Sequence, residues 1–70
     1  MTPQAIHAAM QHIAATALAK AEQATEELAG GCQSDSQNGL AGGMIIARES
    51  LEASLKLIEA ALALHQTRGL

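Results

Sequence analysis

The sequence contains no phenylalanine, tyrosine or tryptophan, and it has only one proline and one cysteine. Without aromatic rings it lacks the platforms on which proteins stack the bases of single-stranded nucleic acids. Cys32 cannot form a disulfide within the chain, and the Cys and His residues lack the paired spacing of a zinc site. Disulfides and structural metals are two ways in which a small domain reaches a stable fold, so association with another polypeptide is the remaining one.

Basic residues are scarce too, and the formal net charge is −3 at pH 7. The four Lys and Arg residues are scattered along the chain: Lys20, Arg48, Lys56 and Arg68. Proteins that bind nucleic acids cluster such residues to neutralise phosphates. We therefore expect no nucleic-acid partner.

Long apolar runs are also missing. The N-terminus has no basic segment followed by an apolar core, so it does not resemble a secretory signal. The longest near-apolar run, residues 39–47, is too short to cross a bilayer. We expect a cytoplasmic protein without a membrane partner.

No group of side chains predicts catalysis. The sequence has no Ser/His/Asp arrangement and no glycine-rich phosphate loop after a strand, and two helices form no deep pocket. His7 and His12 lie on different sides of a helix, so they cannot share a metal ion as an i, i+4 pair does. We expect no enzymatic activity, no cofactor and no bound metal.

The sequence is rich in alanine, and its apolar residues recur with the period of an α-helix, which together predict an all-α fold. Thr2 and Pro3 are a capping residue and a first-turn proline, so helix 1 is predicted over about 3–29, ended by Gly30-Gly31. A polar loop over about 30–38 follows. Four residues in it are candidate N-caps of helix 2: Ser34, Asp35, Ser36 and Asn38.

Helix 2 is predicted over about 40–67, with Arg68 and Gly69 as stop signals, and carries two apolar stripes at about 100° per residue. The first stripe consists of Leu40, Met44, Ala47, Leu51, Leu55, Ile58 and Leu62. The second stripe consists of Ile46, Ala53, Leu57, Ala60 and Leu64. The glycines at 39, 42 and 43 have two explanations: a close backbone approach, or a later helix start at Gly43 or Met44.

A short loop makes the two helices antiparallel, so residues 1–70 are predicted to form one helical hairpin. The first stripe is expected to face the small residues of helix 1, for example Met44 against Ala24. The second stripe is then left for another polypeptide. We predict that it serves as a partner or oligomer interface, either in a four-helix-bundle homodimer or on a helical partner.

The carboxylates near the end of helix 1 form a second candidate site. Glu22, Glu26 and Glu27 stand where the helix dipole disfavours acids, which marks them as a patch for a basic partner. The alternative is a solvated face that Lys20 and Arg48 partly neutralise.

In general shape the predicted hairpin resembles two kinds of small two-helix proteins. One is the RNA-binding helical-hairpin dimers that control plasmid copy number, and the resemblance to them is architectural. The other is the small co-chaperones of type III secretion needle subunits. Similarity to these includes Gly30-Gly31 near the turn and Arg48-Glu49-Ser50, followed by Leu51-Glu52, at the head of an amphipathic helix.

These features give three functional hypotheses. The first is a non-enzymatic adaptor or regulator, of co-chaperone or inhibitor type, that binds another protein through helix–helix contacts. The second is a purely structural homodimerisation module. The third is a nucleic-acid-binding hairpin dimer, and the scattered basic residues place it last.

Overall fold

A computed structural model of the chain describes residues 2–67, which form two α-helices joined by a short loop. α1 is Pro3–Cys32 and α2 is Gln37–Thr67, with no strand within residues 2–67. Gly31 lies against Leu40 near the loop, and Ala17 lies against Ser54 further along, so the helices run antiparallel. The predicted all-α helical hairpin is therefore confirmed.

Both helices begin at a hydroxyl cap. The Thr2 hydroxyl accepts a hydrogen bond from the Ala5 N–H at 3.0 Å, and Pro3 occupies the first helical position, as predicted. At α2 the Ser36 hydroxyl accepts from the Gly39 N–H at 3.0 Å. Ser36 is thus the N-cap among the four candidates in the loop.

The end of α1 differs from the prediction. The helix continues through Gly30 and Gly31 to Cys32, which leaves only residues 33–36 as the loop. None of the residues that the structure describes has a positive φ, so neither glycine acts as a left-handed cap. The N–H of Gln33 instead donates to the carbonyls of Ala29 and Gly30, both at 3.2 Å. Arg68 and Gly69, the stop signals predicted for helix 2, lie outside the described residues.

Small residues form the contact between the helices. In α1 three of the buried residues recur every seventh position: Ala17, Ala24 and Gly31. In α2, over residues 37–66, the buried residues are all small: Gly43, Ala47, Ser50, Ser54 and Ala61. A heptad spacing keeps such residues on one seam between two helices, and their size lets the backbones come close.

Gly43 marks a close approach of the two backbones. A Cβ built there would lie 2.7 Å from the Glu27 carbonyl oxygen and 3.1 Å from the Cα of Gly31. Because α2 begins at Gln37 and Gly43 lies inside it, a close backbone approach explains this glycine. The alternative, a helix that starts at Gly43 or Met44, is wrong.

The prediction that the first stripe faces α1 is also wrong. Of its seven residues only Ala47 is buried, with 1% of its surface exposed, whereas Met44 is 54% exposed. The prediction assumed that large apolar side chains mark the helix–helix contact. α1 instead packs on the small residues that lie between the two stripes, so each stripe falls on a flank of this contact.

The hairpin is long and thin, with extents of 53 × 15 × 10 Å and a Cα radius of gyration of 16.0 Å. A compact domain of this length has a radius of gyration of about 11 Å. Two side-by-side helices have two broad faces, and neither face is covered by another part of the hairpin. Neither helix, over the residues described, is long and apolar enough to span a membrane.

Candidate functional site

The larger apolar side chains lie on the outside of the hairpin. Ten Leu, Ile and Met side chains are exposed, and among the described residues no large side chain is fully buried. Among residues 2–66, Ile6 is the one large apolar residue that is buried, and the other buried residues are alanine, glycine and serine. This distribution is the reverse of an ordinary domain, where Leu, Ile and Met are among the residues most often buried.

Seven of these exposed side chains share one broad face, which we call the leucine face: Leu28 from α1 with Leu40, Met44, Leu51, Leu55, Ile58 and Leu62 from α2. A shallow groove of about 310 Å³ runs along it. Leu28 lines this groove together with Met44, Leu51 and Leu55. Both helices therefore contribute to a single apolar surface.

One charged pair stands at the edge of the groove. The Arg48 Nε lies 4.0 Å from a Glu52 carboxylate oxygen, and both side chains are about two-thirds exposed (69% and 65%). Such a pair contributes only about 0–1 kcal/mol to stability. An apolar centre with a polar rim is the usual anatomy of a protein–protein interface, and the leucine face has this arrangement.

The second stripe lies on the other flank of the contact between α1 and α2, toward the opposite broad side of the hairpin. Ala53, Leu57 and Leu64 are half-buried there, while Ile46 and Ala60 are exposed. The second stripe thus presents less apolar surface than the leucine face does. Its role as a partner interface stays a prediction.

The structure divides the proposed acidic patch. Glu22 and Glu26 are exposed and lie one helical turn apart, so they share a side of α1. Glu27 is half-buried and points about 100° away from Glu26. Two of the three carboxylates therefore form a joint surface, and binding of a basic partner to them stays a prediction.

The histidines and the cysteine are all exposed. His7, His12 and His65 are exposed, and Cys32 carries an exposed free thiol at the end of α1. Within residues 2–67 no three His, Cys, Asp or Glu side chains are grouped so that they could hold a metal ion.

The contact that small residues of α2 form with α1 was not predicted from the sequence. Ser50 and Ser54 are buried in it, although serine usually lies on the surface. The signal is present in the sequence, since Ala47, Ser54 and Ala61 repeat every seventh residue and so do Gly43 and Ser50.

Comparisons with protein-family models, curated proteins and solved structures found no match to this chain.

Proposed function

We propose that this chain is a non-enzymatic protein-binding module, of adaptor or regulator type, that acts through helix–helix contacts made by its leucine face. The observation that supports this proposal is the inverted distribution of side chains. Apart from Ile6, the buried residues are alanine, glycine and serine, while ten leucine, isoleucine and methionine side chains are exposed over the described residues. A cytoplasmic location, expected from the sequence, is part of the proposal.

The exposed area gives the second argument. The chain exposes 5196 Å², whereas a folded monomer of 7.2 kDa is expected to expose about 4,100 Å². The difference of about 1,000 Å² is close to the roughly 800 Å² that each partner buries in a standard protein–protein interface. Exposed apolar side chains gathered on one face are typical of a protein that functions in a complex.

A purely structural homodimerisation module is the second candidate function. It is favoured by the weak core, because a core of small residues gives little hydrophobic stabilisation and a dimer would supply more. A nucleic-acid-binding dimer has less support. Lys20, Arg48 and Lys56 are dispersed, and the leucine face offers bases no aromatic ring.

Affinity capture with three forms of the chain tests the adaptor function. The bait is wild type, Leu55→Lys or Lys56→Glu, each immobilised through a tag and exposed to a lysate of the source cells. A specific partner should be retained by wild type and by Lys56→Glu but lost with Leu55→Lys, because Leu55 is on the leucine face and Lys56 is exposed outside it. The candidate is then purified and its stoichiometry with the chain is measured by calorimetry.

The matched variants make the result decisive. Leu55→Lys and Lys56→Glu change neighbouring exposed residues of the same helix, and the first introduces a charge on the leucine face while the second reverses a charge outside it. A partner that binds all three forms equally does not use the leucine face. If no purified partner binds with defined stoichiometry, the adaptor function is wrong and the structural function takes its place.

A further inference from the structure

The leucine face needs an occupant that is present whenever the chain is folded. The hairpin buries few large side chains, and its single cysteine is a free thiol. Chains of this size that lack disulfides and structural metal ions commonly reach stability by oligomerising. A second copy of the same chain meets this requirement under every condition in which the protein is made.

The leucine face is also self-complementary along α2. Its positions, together with Ala47, are symmetric about Leu51: pairs stand four residues away (Ala47 and Leu55), seven residues away (Met44 and Ile58) and eleven residues away (Leu40 and Leu62). A two-fold interface requires that if residue i contacts residue j, then j also contacts i. Two antiparallel copies of α2 centred on Leu51 satisfy this condition, and the small Ala47 then opposes the large Leu55.

The charges favour the same arrangement. Five of the seven acidic residues lie in the half of the hairpin nearer the loop: Glu22, Glu26, Glu27, Asp35 and Glu49. A parallel dimer would superimpose these two acidic halves. An antiparallel dimer places the acidic half of each copy beside the less acidic half of the other. The acidic residues of that second half are Glu52 and Glu59.

The central ion pair fits an antiparallel dimer as well. Arg48 precedes Leu51 by three residues and Glu52 follows it by one, so the two-fold axis brings Arg48 of one copy level with Glu52 of the other to within about 3 Å along the helix. The two Arg48–Glu52 pairs then alternate in sign along the rim of the groove. Charge complementarity of this kind fixes the register of an interface.

We therefore propose that the leucine face binds a second copy of this chain, in an antiparallel four-helix bundle whose two-fold axis passes near Leu51. The proposal rests on the second candidate function, the homodimerisation module, because it names a second copy as the polypeptide that occupies the leucine face. It leaves the opposite broad face, with the second stripe, exposed to other partners.

The orientation is tested on the wild-type chain through its own cysteine. A spin label on the exposed Cys32 thiol reports the distance between the two copies, with the mass of the labelled protein checked by light scattering. Cys32 lies near the level of Leu40, so an antiparallel dimer centred on Leu51 places the labels about 35–45 Å apart, at 1.5 Å per residue. A parallel dimer would place them within about 20 Å, since packed helices lie only 8–10 Å apart.

The register is tested by charge exchange at Leu51. Leu51→Glu and Leu51→Lys each place two like charges opposite one another at the centre, so each variant alone should dimerise at least a hundredfold more weakly. An equimolar mixture should recover the dimer, because the new carboxylate of one copy would then face the new ammonium group of the other. This recovery separates a broken interface from a chain that fails to fold. Lys56→Glu is the control and should dimerise like wild type.

Each outcome decides the proposal. A wild-type dimer with the long label distance and with recovery in the mixture supports it. A short label distance, or a dimer indifferent to both Leu51 variants, overturns it. Wild type that stays monomeric and fully helical over a hundredfold concentration range also overturns it, while the adaptor function is still judged separately by whether a purified partner binds the leucine face.

Discussion

The Ser54 hydroxyl of α2 donates a hydrogen bond of 3.0 Å to the main-chain carbonyl of Ala17 in α1, in the buried middle of the hairpin. Both residues are small and buried, so the helices lie close enough for the Ser54 side chain to contact the backbone of α1. A polar bond at this point favours one rotation and one register of α2, together with the packing of the small residues. In that rotation Leu51 and Leu55 are exposed on the leucine face.

Removal of this bond is the first test. We expect Ser54→Ala to lower the free energy of unfolding by about 1 kcal/mol, because a buried hydrogen bond is lost while the Ala17 carbonyl keeps its bond within α1. Urea unfolding followed by circular dichroism measures the change at one fixed protein concentration. The matched control is Thr25→Ala, whose hydroxyl bonds only to the Ala21 carbonyl of its own helix. Equal effects of the two substitutions would contradict a special role for Ser54.

Two neighbouring glycines of α2 provide the second test. Gly43→Ala should destabilise the hairpin by about 1–3 kcal/mol, since the new methyl group meets the backbone of Glu27 and Gly31 and neither can rotate away. Gly42→Ala is the control, because a Cβ there would meet no neighbouring segment within 4 Å and alanine favours the helix. Gly42→Ala should therefore stabilise by about 0.4–1 kcal/mol.

Thermal unfolding distinguishes these two glycine variants well. For a chain of this length, 1 kcal/mol corresponds to a change of about 4–8 °C in the midpoint. The midpoints of Gly43→Ala and Gly42→Ala should thus move in opposite directions from wild type. A higher midpoint for Gly43→Ala would show that the helices are not in close contact at that position.

The start of α2 gives the third prediction. Ser36→Ala removes the hydroxyl that accepts from the Gly39 N–H, and loss of such a cap costs about 0.5–2 kcal/mol. Ser36→Asp should keep most of the stability, because a carboxylate accepts the same bond and suits the positive end of the helix. Urea midpoints of the two variants measure the difference. If both variants lose equal stability, capping at Ser36 does not hold the start of α2.

The sequence predicts the helical hairpin because its signals are local. The Thr2 cap, the first-turn Pro3 and the apolar period of each helix act within a few residues, and all of them reappear in the structure. The end of α1 could not be predicted in this way. Gly30 and Gly31 resemble a helix stop, yet Gly31 lies inside the helix because the backbone of Leu40 packs against it.

The candidate site is harder to predict than the fold. The sequence shows both stripes of α2, but the larger side chains of the first stripe favour the wrong surface for the contact with α1. Whether a helix packs by its large or its small residues depends on what the other helix presents. Here Ala17 and Ala24 of α1 pack against Ser54 and Ala47 of α2, so the helices meet through their small residues. Which face stays exposed can be predicted only once that tertiary contact is known.

The fourth prediction compares the two flanks of α2. Leu51 belongs to the leucine face and is 48% exposed, whereas Leu57 belongs to the second stripe and is half-buried beside α1. In an associating protein the thermal midpoint rises with concentration, because association stabilises the folded state by mass action. We expect Leu51→Glu to abolish this rise. Leu57→Glu should lower the midpoint at every concentration but keep the rise.

The size of the Leu57 effect follows from its burial. Full burial of a leucine contributes about 1.5–3 kcal/mol, so a half-buried one should cost about 1–2 kcal/mol when it is replaced by a charged side chain. Lys56→Glu, one residue away and exposed, is the control for both variants and should change neither the midpoint nor its concentration dependence by much. If Leu57→Glu instead abolishes the rise and Leu51→Glu retains it, then the interface is the second stripe, as the sequence alone predicted. In that case the leucine face is not the surface on which the chain associates.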